Sequence, residues 1–228
     1  MTFPGFPIGL LHFLDELSKN NNKRWFDKNK ERYEREVRGP ALDFIAAMQK
    51  PLAGVSPHLV AVPKKVGGSL MRPYRDIRFS KDKTPYKTNV GMQFRHEAGK
   101  DIHAPGLYLH IDTSEVFLGA GVWRPESSAL AAIRHAIDTD PTGWKRAKGG
   151  KAFRDTFHLG GESLSRPPRG YAADHPLVDD LKRKDHIAVC KLDHDVLFDS
   201  GVAKVVGDAF KRSKTYLKFL CGALEVAF

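Results

Sequence analysis

Three runs of strict alternation in the middle of the chain constrain its fold more than any other feature. Val90, Met92 and Phe94 alternate with Asn89, Gly91, Gln93 and Arg95. Leu107, Leu109 and Ile111 alternate with Tyr108, His110 and Asp112, and Val116, Leu118, Ala120 and Val122 continue the pattern. A period of two puts the apolar set on one side of a pleated strand and the polar set on the other. Half-buried antiparallel strands read this way. Asp112-Thr113-Ser114-Glu115 separates the last two runs, so they should form a hairpin. An earlier strand is expected within 59–63 and a late one over 187–192.

Such a sheet needs something apolar to lie on. Leu10, Phe13, Leu14 and Leu17 recur at helical spacing, with Pro7 suited to the first turn and Asn20-Asn21-Asn22 as the stop. Asn22 can then cap a second helix carrying Trp25, Phe26, Tyr33 and Val37 amid charges of alternating sign. Gly39-Pro40 is expected to break it, before a third helix with Ala41, Phe44, Ile45 and Met48 on one side. Leu130, Ile133 and Ile137 mark a later helix, a short one should reach Lys184, and Val202, Val205, Val206 and Ala209 mark a C-terminal one. Helices, then strands, then helices give an α+β fold: a central, mainly antiparallel sheet with N-terminal and C-terminal helices packed on it. The 228 residues fit a single domain over 1–228, whose weakest stretch is the Gly-, Ser- and Pro-rich segment 160–171.

Charge is distributed unevenly. The chain carries a net +10, and the segment 64–95 holds nine Lys or Arg against two acids. Its centre runs Arg72-Pro73-Tyr74-Arg75-Asp76-Ile77-Arg78-Phe79-Ser80-Lys81-Asp82-Lys83-Thr84-Pro85-Tyr86-Lys87. Pro73 and Pro85 oppose a continuous helix, while Ser80, Asp82 and Thr84 favour turns. Such a loop can aim backbone N–H groups at an anion. Arg75 and Arg78 could grip its oxygens in pairs, with Arg72, Lys81, Lys83 and Lys87 adding charge. Lys87, Asn89, Gln93 and Arg95 share one strand face, and Tyr108, His110 and Asp112 share another. If the strands are neighbours, the two sets line one floor beside the loop. The candidate ligand-binding residues are therefore Arg72, Arg75, Asp76, Arg78, Ser80, Lys81, Asp82, Lys83, Tyr86, Lys87, Arg95 and His110. Phe26, Phe79 and Trp123 are expected in the core, and Tyr74 or Tyr86 nearer the surface.

Three functions fit this pattern. A binding module would hold a phosphate-bearing or other anionic ligand, nucleic acid included, since aromatics lie between the cations. An enzyme would orient a small anionic substrate with Arg75, Arg78 and Lys81, and move protons with Asp76, His110 or Asp112. A structural hub would pair Asp76 and Asp82 with the arginines and tie the loop to the second helix through Glu31 or Glu34.

Other classes find little support. His110 with Asp112, and Asp101 with His103, have the spacing of a ligand or acid–base pair but too few partners for a metal. Asp193-His194-Asp195 reads as a turn or cap. No phosphate-loop, HExxH or GxSxG pattern occurs, and no residue pattern asks for a cofactor or metal. Gly119-Ala120-Gly121 lies in a strand and reads as close backbone packing. Cys190 and Cys221 sit among apolar residues and read as buried thiols of a reducing compartment. With no secretory signal and no membrane span, the cytoplasm is the expected location.

The order of motifs resembles the family catalogued as domain of unknown function 2461. The resemblance rests on Asn21-Asn22-Lys23-Arg24-Trp25-Phe26 with Tyr33-Glu34, on Arg75 to Lys87, and on Gly119-Ala120-Gly121-Val122-Trp123-Arg124-Pro125. Arg166-Pro167-Pro168-Arg169-Gly170-Tyr171 and Asp174-His175-Pro176 complete it. It implies a single α+β domain and carries no assigned activity or catalytic residue.

Overall fold

The computed structural model describes residues 3–99 and 104–228. The N-terminal third is helical: α1 (Gly9–Lys19), α2 (Lys23–Lys28), α3 (Lys30–Tyr33), α4 (Gly39–Ala47) and α5 (Gln49–Ala53). The apolar stripe of α1 is buried as its spacing requires, and the Asn22 side chain accepts from Trp25 N–H at 3.0 Å to cap α2. Gly39-Pro40 does not break the chain's helical course. Glu34–Arg38 winds as a π-helical turn in which Gly39 N–H reaches Glu34 O, and Pro40 then occupies the first turn of α4. The wider turn absorbs the proline, which lacks an N–H and would crowd the carbonyl four residues back.

The strands are β1 (Leu59–Val60), β2 (Val90–His96), β3 (Gly106–Ile111), β4 (Val116–Val122), β5 (His158–Gly160) and β6 (His186–Leu192). They form one antiparallel sheet in the order β1-β2-β3-β4-β6-β5, with β3 and β4 the expected hairpin. The later helices are α6 (Ser127–Thr139), α7 (Pro141–Gly149), α8 (Lys151–Arg154), α9 (Val178–Leu181), α10 (Val202–Arg212) and α11 (Lys214–Ala223). The short helix expected near Lys184 therefore ends at Leu181. Asp193-His194-Asp195 leads into a 3₁₀ turn, and the Asp101–His103 pair lies outside the described residues.

Helices cover one face of the sheet. Met92, Phe94, Leu107, Leu109, Ile111, Leu118 and Ala120 are buried there, with α4 on β2 and with α10 and α11 on β4. Cys190 and Cys221 are free and buried. The opposite face holds Gln93, Arg95, Tyr108, His110, Phe117, Gly119 and Gly121, which are partly or fully exposed. Gly121 has φ +125° and lies so close to β6 that a Cβ would stand 2.0 Å from His186 O, so the close packing is real. Among the described residues no helix is long and apolar enough to cross a membrane.

Candidate functional site: a basic cleft at the sheet edge

The basic segment is an irregular hairpin added to the sheet edge. Met71 N–H donates to Gly91 O at 2.9 Å and Gln93 N–H to Ser69 O at 2.8 Å. Further out, Arg75 N–H donates to Pro85 O at 2.9 Å and Lys87 N–H to Pro73 O at 2.7 Å. Both prolines take part only as acceptors, so their missing N–H costs no ladder bond. Asn21 anchors the returning arm, donating to Tyr86 O at 2.9 Å and accepting from Tyr86 N–H at 3.0 Å. The Tyr86 ring stacks on Phe26 with centroids 4.0 Å apart. Tyr86 is therefore core and cannot contact a ligand, whereas Tyr74 is the exposed partner.

At the tip, residues 75–84, the cations nominated for gripping are already matched. Arg78 forks onto Asp76 at 2.9 and 2.7 Å, and Arg75 bonds Asp82 and the Thr84 hydroxyl. The Arg78 guanidinium, helped by Arg78 N–H, lowers Asp76 to about 2. Arg75, then the Thr84 N–H, does the same for Asp82. Lys83 Nζ donates to Ile77 O at 3.0 Å. These pairs stay inside the tip. The expected tie to Glu31 or Glu34 is replaced by the Asn21–Tyr86 clasp, and Glu34 instead bonds Arg38 and stands 3.5 Å from Lys65. Phe79 does not join the core. It projects from the tip at 96% exposure with the Arg78 guanidinium 5.9 Å from its ring centre. Trp123 is likewise 66% exposed under Arg124. Phe79 stands in the irregular tip, where no period orients a ring, and Trp123 follows the buried Val122 onto the outer side of the β4 alternation.

Below the tip, the hairpin and the outer face of β2 enclose a cleft of about 450 Å³. Lys65, Arg72, Lys87 and Arg95 line it, with Ser69, Tyr74 and Gln93 between them and Asp76 at the rim. Among the described residues, Arg72, Lys87 and Arg95 make no ion pair; the Asp76 carboxylate forks onto Arg78 and feels the Arg72 charge only from beyond ion-pair distance. Arg95 donates to Gln93 Oε1 at 3.1 Å. The Lys87 ammonium is half-buried; burial lowers its pKa, and the Arg72 charge lowers it further. Two like charges in one partly desolvated place are unfavourable in the free protein. Of the candidate residues, Arg72, Asp76, Lys87 and Arg95 meet here. Arg75, Arg78, Ser80, Lys81, Asp82 and Lys83 belong to the tip. Lys65, Ser69, Tyr74 and Gln93 were not among the candidates. Gln93 was legible from its alternation with Arg95, and Lys65 from the same basic run. A crevice beside the cleft, under Met71 and Leu70, holds only about 20 Å³, room for a water.

The floor continues onto β3. Gln93 lies directly across from Tyr108 and Gly91 from His110, so the two polar sets do share one face. The Tyr108 hydroxyl fills the space above Gly91, where a Cβ would meet it at 2.6 Å and Met71 Sδ at 2.9 Å. Tyr108 Oη lies 3.2 Å from His110 Nδ1, and His110 Nε2 lies 2.9 Å from Asp112 Oδ2. With Nε2–H donating to the carboxylate, Nδ1 accepts from the tyrosine. Asn89 Nδ2 stands 3.4 Å from the same nitrogen, and Phe117 stacks on the ring at 4.6 Å. Burial would raise Asp112, but His110, Ser114 and Glu115 N–H hold it to about 2. Burial pushes Tyr108 up to about 12. The imidazole is thus held at both nitrogens next to the cleft, not inside it. No three His, Cys, Asp or Glu side chains converge to hold a metal among the described residues.

A helix-backed antiparallel sheet, with a cleft lined by Lys65, Arg72, Lys87 and Arg95 at its edge, defines an α+β fold. The chain belongs to the conserved hypothetical protein family DUF2461, whose profile matches residues 9–219. No curated protein and no solved structure matches it.

Proposed function

We propose that the protein binds a phosphate-bearing ligand in the cleft, with Arg72, Lys87, Arg95 and Lys65 as its cationic wall. One observation carries this reading. Arg72 and Lys87 are held together, Lys87 half-buried, with no carboxylate within ion-pair distance among the described residues. A dianionic group between them would relieve their repulsion and accept charge-assisted hydrogen bonds from both. Gln93 supplies a neutral polar group for a remaining oxygen, and Tyr74 offers a ring wall for whatever the phosphate carries. The two buried free thiols favour a reducing compartment such as the cytoplasm. Calorimetric titration with tripolyphosphate tests the reading. Saturable binding that weakens steeply with added salt supports it, and no heat at low salt refutes it.

A second reading, an enzyme acting on a small anion, draws on the Tyr108–His110–Asp112 chain sharing the sheet face with the cleft. Tyr108, backed by His110, is placed to exchange a proton with a substrate anchored at Arg72 and Lys87. It requires Met71 to move from over the hydroxyl. A bound phosphomonoester that stays intact over long incubation would remove it.

A further inference from the structure

We infer that the ligand is a single strand of nucleic acid laid across the sheet face opposite the helices, with a phosphate in the cleft and a base stacked on Trp123. This rests on the phosphate reading of the cleft and extends it to the rest of that face. Strand register places Phe117, Gly119 and Gly121 of β4 on the same side as Gln93 and Tyr108, and Trp123 is exposed where its neighbour Val122 is buried, which turns the ring to that side. Among the described residues, a Cβ at Gly119 would meet only the Tyr108 side chain within 4 Å, at 3.5 and 3.9 Å. The strip is open at Gly119, and past the strand end stands an indole 66% exposed with the Arg124 guanidinium 4.9 Å from its centre.

The charges on this face fit a polyanion. Arg72, Lys87 and Arg95 stand along the β2 edge, while Lys191 and Arg124 stand beyond β4. Of the acids there, Asp76 is paired with Arg78, Asp112 bonds His110, Glu115 lies 3.6 Å from Lys191, and Asp185 accepts from Arg124 N–H at 2.7 Å. Two strand spacings separate Arg95 from Gly121, about 10 Å, and two residues more reach Trp123, about 7 Å. A flexible strand can span that distance with one phosphate in the cleft and a later base on the indole. Base stacking beside cations is the sequence-tolerant way to hold splayed bases. A duplex keeps its bases stacked inside and would offer the indole nothing to cover. An acidic peptide would gain the charges but leave the indole uncovered.

The test compares a labelled single-stranded oligonucleotide of about a dozen nucleotides, the matching duplex, anionic vesicles and tripolyphosphate on the full chain. The single strand should bind tightest and quench the exposed indole. Trp123→Ala, a surface change that should leave folding intact, should weaken the strand by about tenfold and leave tripolyphosphate unaffected. Arg72→Ala should weaken both. If Trp123→Ala leaves strand affinity unchanged, or if duplex or vesicles bind as tightly, the inference is wrong while the cleft reading stands. Loss of tripolyphosphate binding by the unaltered protein would remove both.

Discussion

His186 makes the stability of this fold depend on pH, and the size of the effect follows from its surroundings. The imidazole lies on the core face of β6, fully buried, edge-on to Trp144 with ring centres 5.8 Å apart. Among the described residues neither ring nitrogen has a hydrogen-bond partner, and the Trp144 Nε1 and Tyr216 hydroxyl nearby are equally unpaired. Burial is the first cause that pulls its pKa down to about 3, and the Arg183 and Arg134 charges add to it. Asp180 and Asp185 pull the other way but do not compensate. Asp180 is held by Lys148 at 2.6 Å, and Asp185 accepts from the Arg124 and Glu162 N–H groups. Because the folded value lies below the unfolded 6.5, the unfolded chain takes up the proton first. The neutral form's full stability is present above pH 6.5 and is lost as pH falls toward 3. At about 1.4 kcal/mol per unit the loss is about 2 kcal/mol at pH 5 and about 5 kcal/mol at the limit. Urea unfolding at pH 7.5 and 5.0, on the unaltered protein and on His186→Phe, isolates this contribution from that of every other titrating group. The variant should lose about 2 kcal/mol less than the parent on acidification, and its two orphaned nitrogens are replaced by carbon at the same time. Equal losses in the two proteins would refute the reasoning.

Two further outcomes separate the clasp from the tip. Asn21→Ala removes both bonds to the Tyr86 backbone and should cost about 1–3 kcal/mol by urea titration, because the Tyr86 groups are then left unpaired in part-buried surroundings. Arg78→Ala breaks an exposed pair and should leave the thermal midpoint within about 2 °C of the parent; a large fall would restore the ion-pair hub as a structural role.

The sheet was legible because alternation is a long-range instruction repeated over three strands, and burial of Met92, Leu109 and Leu118 follows it residue by residue. The polar floor followed from the same alternation once the strands proved to be neighbours. Gly39-Pro40 misled because a π turn can carry a helix past a proline, and no side chain announces that turn. Residues 141–160 carried no apolar period strong enough to read, yet α7 buries Trp144 and is capped by Asp140 accepting from Gly143 N–H at 2.8 Å. At the site, the sequence located the surplus of charge but not its partition. Asp76 and Asp82 could have met any of six cations. The hairpin's fold gave them to Arg78 and Arg75, and among the described residues left Arg72 and Lys87 without a carboxylate where the arms meet the sheet, and Lys81 and Lys83 without one at the tip, where Lys83 bonds Ile77 O.

That partition is the central claim, and a binding comparison tests it most directly. Tripolyphosphate affinity should fall about tenfold or more in Arg72→Ala and Lys87→Met, where a charge-assisted contact is lost. It should stay nearly unchanged in Arg75→Ala and Arg78→Ala, whose charges are already answered inside the tip. The opposite ranking, with the tip variants losing affinity and the cleft variants keeping it, would contradict the account.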